Sequence, residues 1–220
     1  MTGKPVTGTS RREEYAAQTR AAVVRAAVAR FAADGYAVTT IDAIAEEARV
    51  AKGGVYHHFA SKAELFEAAF VAMETRLLER VTAGLAGLTD PLELMVTGTD
   101  LYLAECSEPD FRRIALLDAP AAIGWVRWRA VEEQYFLALV TAGLAGLARV
   151  GYDIPPGDLA ARMLLAAMNE AGLSIAASPE PDAERSRARR VMLQLLQGFR
   201  AEAKRADTER ADTERADTEG

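Results

Sequence analysis

The chain has 220 residues, half of them apolar, with 26 Lys or Arg against 32 Asp or Glu and a single cysteine. That is enough apolar chain to bury one substantial core, or a small domain joined to a larger one, and it excludes a disordered regulator. The net charge of −6 excludes a uniformly basic nucleic-acid coat, and the lone Cys106 excludes an intrachain disulfide.

The charge is unevenly placed. Residues 1–62 hold nine Lys or Arg against six Asp or Glu, a surplus of three, so residues 63–220 carry an excess of nine negative charges. Positive charge therefore sits on the N-terminal quarter, and the remainder is acidic enough to discourage indiscriminate sticking.

In chain order, residues 1–14 combine Gly, Thr, Ser and Pro with an Arg pair and are expected to form a flexible arm; they lack the apolar core of a signal peptide. Helical periodicity begins near Tyr15 and runs to Asp34, with Val24, Val28 and Phe31 as an i, i+4, i+7 stripe, and Gly35 supplies a left-handed stop. A second helix opens at Thr40, whose hydroxyl caps it, and turns Ile41, Ile44, Ala45 and Ala48 inward. After the turn Arg49-Val50-Ala51, a third helix from Lys52 to about Phe59 buries Val55 and Phe59 and leaves Lys52, Gly53, Tyr56 and His57 outward. Residues 15–62 thus read as a helix-turn-helix domain, with the motif at about 40–59.

Ser61-Lys62-Ala63-Glu64 has capping-box spacing and opens a long helix through Leu65, Phe66, Ala69, Met73, Leu77 and Val81, which connects to a second domain over residues 63–203. Pro91, Pro109, Pro120, Pro155-Pro156, Pro179 and Pro181 punctuate otherwise helical patterns there, and no run of alternating β-branched residues occurs, so the class is all-α. The octapeptide VTAGLAGL occurs at 81–88 and again at 140–147 with unlike flanks, as either chance in an Ala/Gly/Leu-rich chain or a pair of small-residue helix contacts. Residues 204–220 carry a repeated RADTE motif with no apolar residue larger than alanine, and they are expected to be a disordered, solvated tail of frayed helix or coil.

A recognition helix must be slim enough to enter the major groove, about 12 Å wide, and must present donors. Lys52-Gly53-Gly54 meets that demand, because paired glycines cost roughly 1 kcal/mol each in a purely structural helix but permit close backbone approach to DNA. Tyr56 and His57 offer donors to phosphates or bases, and Lys62 offers a second anchor. Thr39 and Thr40 place hydroxyls at a helix N-terminus, a ready anion site. His57-His58 is not a metal site on this reading, since adjacent helical residues point about 100° apart and no third ligand lies near. His58 is better explained as a packed or capping side chain.

Phe31-Ala-x-x-Gly-Tyr, Thr39-Thr40-Ile41, Ile44-Ala45-x-x-Ala48, the run from Lys52 to Phe59 and Ser61-Lys62 closely resemble the N-terminal domain of the TetR family of bacterial transcriptional regulators. The resemblance covers about a quarter of the chain. It implies a double-stranded DNA partner, and a C-terminal domain that binds a small molecule and dimerises. Two positions depart from the family pattern: Arg49 stands where glycine is usual, and Ala51 where Ser or Thr is common. Arg49 is then either a phosphate contact or tolerated drift, at a backbone strain of about 1 kcal/mol if the turn is left-handed.

The resemblance also implies a cavity in the second domain. Tyr102, Phe111, Trp125 and Trp128, with the polar Asp118 and Asn169, are the candidate effector residues, although an aromatic stripe serves a core equally well. Ala167 and Ala171 with Met192, Leu195, Leu196 and Phe199 form small and apolar stripes on two final helices; these either close the monomer or join a second subunit in a four-helix bundle. No nucleophile elbow, phosphate loop or dinucleotide fingerprint is present, so neither enzymatic activity nor a cofactor is expected. The apolar stretch Leu159 to Ala177 is interrupted by Arg162, Asn169 and Glu170, so no membrane span is expected and a reducing cytoplasm fits the single thiol.

The reading is a homodimeric regulator that binds a palindromic operator, usually represses, and is released by a small, largely apolar ligand. Its rivals are a DNA-binding regulator without a small-molecule effector, and an all-α enzyme or interaction protein whose helix-turn-helix no longer binds DNA.

Overall fold

The computed structural model describes residues 11–218, with side chains described as far as Phe199. Most of the expected N-terminal arm lies outside the described residues. Its last four positions belong instead to α1 (Arg11–Asp34), whose first turn carries Glu13 and Glu14 where the helix dipole favours negative charge. Val23, Ala26, Ala27 and Phe31 are buried on α1, while Val24 and Val28 are only half-buried. The inner face is therefore turned by about one residue from the sequence stripe.

Helix α2 (Ile41–Glu47) is capped by Thr40, whose hydroxyl accepts from Ala43 N at 3.2 Å, and α3 (Lys52–His58) follows. Helix α4 (Lys62–Leu85) opens with a reciprocal capping box: Glu64 N donates to Ser61 Oγ at 3.1 Å, and Ala60 N donates to Glu64 at 2.7 Å. Its first half joins the N-terminal core through an aromatic cluster, Phe66 lying 4.9 Å from both Phe31 and Tyr36. Its second half runs among the helices of the second domain.

Helix α5 (Pro91–Glu105) starts with Pro91 at its first position, and Asp90 accepts from Leu92 N and Glu93 N at 2.8 and 2.9 Å. A short α6 (Pro109–Phe111) passes into a π-helical segment, Arg112–Asp118, and then α7 (Ala119–Ala122). Three long helices complete the fold: α8 (Trp125–Arg149), α9 (Leu159–Ala177) and α10 (Pro181–Thr218). Among the described residues there is no strand. The RADTE repeats continue the α10 backbone to Thr218, where composition predicts frayed helix or coil.

The two VTAGLAGL copies converge on α5. A Cβ placed at Gly84 would meet the Leu101 side chain, and one at Gly143 would meet Met95, so both copies supply small residues where α4 and α8 approach that helix. Helix α9 is long and apolar enough by composition to cross a membrane, but its inner face, including Leu164, Leu165, Met168 and Ile175, is part of the protein core.

Candidate nucleic-acid interface and effector cavity

Helix α3 is held by two apolar residues. Val55 and Phe59 are buried, and the Arg20 guanidinium lies over the Phe59 ring at 4.9 Å. With its inner side anchored, the helix leaves Lys52, Gly53, Tyr56 and His57 exposed along one side, with Gly54 half-buried beside Val50. A Cβ at Gly53 would meet nothing, so this glycine is not required by packing within the monomer. The Lys52 ammonium reaches back to Asp42 of α2 at 2.9 Å, and that bond raises its pKa. Both groups are largely exposed, so solvent screens the pair and it yields readily to a phosphate. His58 is half-buried; burial, then the neighbouring charges of His57 and Arg20, lower its pKa.

The helix-turn-helix bend is a Schellman turn. Arg49 N donates to Glu46 O and Val50 N to Ala45 O, both at 3.0 Å, with Arg49 at φ +56°. That geometry normally belongs to glycine, and Ala51 adds no side-chain cap to α3. The substitution Arg49→Gly is expected to raise stability by about 1 kcal/mol, a rise of roughly 2–4 °C in melting temperature. It also measures the arginine's part in DNA binding: losing one phosphate contact flattens the slope of log K against log salt by about 0.9, and an unchanged slope assigns Arg49 to the turn alone.

Two predicted DNA contacts are engaged internally. Thr39 is 2% exposed, and its hydroxyl donates to Gly35 O at 2.7 Å and Arg30 O at 3.2 Å, so it closes the α1–α2 turn and does not face a phosphate. The Lys62 ammonium donates to Tyr36 O at 2.8 Å and Thr39 O at 3.1 Å, and sits 4.5 Å from the centre of the Tyr36 ring. It neutralises carbonyls left open by the same turn. A hydroxyl at a helix N-terminus and an ammonium at the start of the next helix suggest anion contacts; the loop's own polar groups claim both first. Thr40 remains exposed at the start of α2, its oxygen used as the cap.

In the second domain a cavity of about 240 Å³ lies between α4, α5, α8 and α9, lined by residues that include Val81, Met95, Thr99, Tyr102, Phe136 and Val140. Its wall is predominantly apolar, as the sequence reading expects, but of the six candidate effector residues only Tyr102 belongs to it. Trp125, Trp128 and Asn169 line a second hollow of about 200 Å³ beside Arg129, Glu133 and Arg162. The Tyr102 hydroxyl donates to Asn169 Oδ1 at 3.3 Å and so joins the two. Phe111 is a core residue, fully buried. Trp128 is buried as well, with its indole N–H satisfied by Ala115 O at 2.8 Å.

Asp118 serves neither hollow. Its carboxylate accepts from Tyr36 N at 2.8 Å and from Arg113 Nε at 3.3 Å, while Arg113 also reaches Asp34 O at 3.5 Å. The π-helical segment thereby grips the turn after α1 and ties the second domain to the helix-turn-helix. Gly35 suits that grip because its φ of +81° is one that other residues rarely adopt, and a Cβ there would displace the Arg113 guanidinium. No local pattern in the sequence exposes this pairing, whose members are 82 residues apart.

The α10 stripe divides in two. Met192 and Leu196 are buried within the monomer and Phe199 packs half-buried against the same core, as do Ala167 and Ala171 of α9. The outward side carries Leu195, 45% exposed, with Val191 on α10 and Leu159 and Met163 on α9, of which the last two are each 65% exposed. Of the predicted dimer residues, only Leu195 projects strongly outward, and Leu159, Met163 and Val191 are the other large apolar residues exposed on these two helices. An i, i+4 pairing of large apolar residues on each helix would have pointed to them.

Two family descriptions match the chain: "Bacterial regulatory proteins, tetR family" over residues 23–69 and "Tetracyclin repressor-like, C-terminal domain" over residues 92–199. A probable acrEF/envCD operon repressor of Escherichia coli K12 is 35% identical over 78 residues, a stretch that covers 34% of this chain and 36% of that protein. The match thus spans about a third of that relative's length. A TetR-family transcriptional regulator from Pectobacterium atrosepticum superposes with a TM-score of 0.75 at 25% identity, covering 87% of this chain and 97% of that one. The fatty acid degradation regulator FadR from Bacillus halodurans shares the fold, with a TM-score of 0.65 at 17% identity over 85% of this chain and 97% of its own. With its helix-turn-helix and its second domain both matched, this chain belongs to the TetR family of bacterial regulatory proteins.

Proposed function

We propose that the protein is a homodimeric repressor that binds a palindromic operator through α3 and leaves it when a small, largely apolar ligand fills the cavity between α4, α5, α8 and α9. The observation that carries DNA binding is the exposed side of α3, where Lys52, Gly53, Tyr56 and His57 stand clear of the core. The outward patch of Leu159, Met163, Val191 and Leu195 supports pairing of two subunits, which a palindrome requires: recognition helices must be held about 34 Å apart, or a similar span, to read successive turns of one face. Occupation of the cavity then acts through differential affinity, the ligand favouring whichever arrangement spaces the two heads wrongly. The Asp118–Tyr36 grip supports transmission, since movement of the π-helical segment pulls directly on the turn that precedes α2.

The test is selection of genomic fragments by the purified full chain, followed by anisotropy titration of a selected duplex at several salt concentrations. Affinity is expected to fall steeply with salt, by about 0.9 in log–log slope for each phosphate contacted, and the substitution Lys52→Ala is expected to remove about one such contact. Weak binding that ignores both salt and fragment sequence would refute the proposal. For the effector half, Val140→Trp fills the cavity and is expected to abolish release by any ligand that frees the unmodified protein.

A further inference from the structure

Tyr102, Phe136 and Met168 line the cavity from α5, α8 and α9. One further turn along the same helical face of α8, four residues before Phe136, stands Glu132; on α4, seven residues before the cavity residue Val81, stands Glu74. Both are buried, Glu74 fully and Glu132 to within 1%. Among the described residues, none of the four oxygens of these two carboxyls has a hydrogen-bond partner. Burying one such polar group without a partner costs on the order of 1–3 kcal/mol, and native folds rarely keep two together.

Glu105, on α5 three residues from Tyr102, shows that this fold can neutralise a buried carboxylate when stability requires it. It is equally buried, yet it receives Arg76 at 2.7 Å and also Arg80. Glu74 and Glu132 receive no such cation. Burial raises the pKa of both, and each other's proximity adds to the effect at Glu74. Gly172 of α9 lets the Tyr102 hydroxyl and Cys106 Sγ approach that helix closely, since a Cβ there would lie 2.8 Å from the first and 3.1 Å from the second.

We infer that Glu74 and Glu132 are the polar end of the effector site and that the effector is a cation, an ammonium or amidinium head on an apolar body. The inference rests on the cavity's being the effector site. The apolar body occupies the space lined by Val81, Met95, Thr99 and Val140, and the head passes Tyr102 to the carboxyl pair, supplying the counter-charge that Arg76 and Arg80 supply to Glu105. Charge balance is simple: the carboxyl pair gives up a proton to solvent and forms an ion pair with the entering cation, which keeps its own charge. From α5, the titratable groups facing the pair are Tyr102, Cys106 and Glu105; burial pushes the first two upward, the third forms ion pairs with Arg76 and Arg80, and α9 contributes the uncharged Asn169. Burial, which raises both carboxyls, therefore leaves Glu74 and Glu132 as the pair that holds a proton to release.

The experiment compares octylammonium, 1-octanol and octanoate as calorimetric ligands of the full chain, with the same chain length behind cationic, neutral and anionic heads. Octylammonium is expected to bind at least ten times more tightly than octanol, with octanoate weakest, and to release about one proton per molecule when buffers of different ionisation enthalpy are compared. In the isosteric pair Glu74→Gln and Glu132→Gln, octylammonium is expected to fall to the octanol level and proton release to vanish while octanol affinity is retained. Each single variant should lose part of the preference, which keeps the assignment testable if the double variant does not fold. Equal binding of the three heads, or a cation preference that survives both substitutions, overturns the carboxyl assignment and leaves the cavity standing. Absence of binding by all three overturns it together with the cavity as effector site.

Discussion

The double substitution Met163→Glu and Leu195→Glu is expected to convert the protein to a monomer and to weaken operator binding at least ~100-fold, because like charges brought together across an interface cost several kcal/mol. Both residues are exposed in the single chain, at 65% and 45%, so the monomer has no reason to unfold. In a bundle of α9 and α10 with their copies, each dimer would gather four carboxylates into an apolar contact, and association would fail. Light scattering coupled to size exclusion reads the mass, and anisotropy on the selected duplex reads the affinity. The contrasting substitution Leu196→Ala removes a fully buried side chain and is expected to cost about 2–5 kcal/mol of folding stability through the monomer core. A double glutamate variant that remains dimeric would place the subunit contact elsewhere on the molecule.

Stability is expected to fall as pH rises from about 5 to 8, and Glu132→Gln is expected to remove much of that fall. Burial pushes the Glu132 carboxyl up to about 8 from an ordinary 4.5. With the folded pKa above the unfolded one, the folded state keeps a proton that the unfolded chain has already lost. The contribution to stability is complete below the unfolded value, and it is lost at about 1.4 kcal/mol per pH unit until the folded group ionises. Across the window from 4.5 to about 8 the loss amounts to several kcal/mol (roughly 5 for a single group acting alone), and Glu74, raised for the same reason, adds to the same trend. Denaturation midpoints of the parent and of Glu132→Gln should nearly coincide at pH 4.5 and diverge toward pH 8, with the variant the more stable by ~10 °C, as expected for a chain of this length. Parallel pH curves would mean that Glu132 is ionised or partnered in the native state.

The recognition segment was legible because its constraints are local. A capping threonine, a buried Val55 and Phe59 one turn apart, and a Gly53 that serves no internal contact are all properties of one stretch of chain, and helical periodicity alone settles which side chains point away. The capping box at Ser61 and Glu64 and the proline at the head of α5 were legible for the same reason, since a helix end must satisfy its own orphan amides from neighbouring residues.

Other roles depended on partners far away in sequence. Thr39 and Lys62 have the composition of anion ligands, yet the carbonyls of a turn folded against them occupy both. Asp118 resembles a polar cavity residue until Tyr36 is brought beside it. Met192 and Leu196 face inward and Leu195 outward because α10 packs against α5 and α9 on one side, a fact that periodicity on any one helix does not contain. Glu74, Glu105 and Glu132 are indistinguishable as glutamates on long helices; packing alone decides that one meets two arginines and the others meet none. What the amino-acid order determined unaided was helix content, helix ends and the outward side of α3, all set by interactions within a few residues. The tertiary structure decided which apolar stripe is core, where the cavity lies and which buried charges are neutralised, because burial and Coulomb energy depend on distances between segments that only packing brings together.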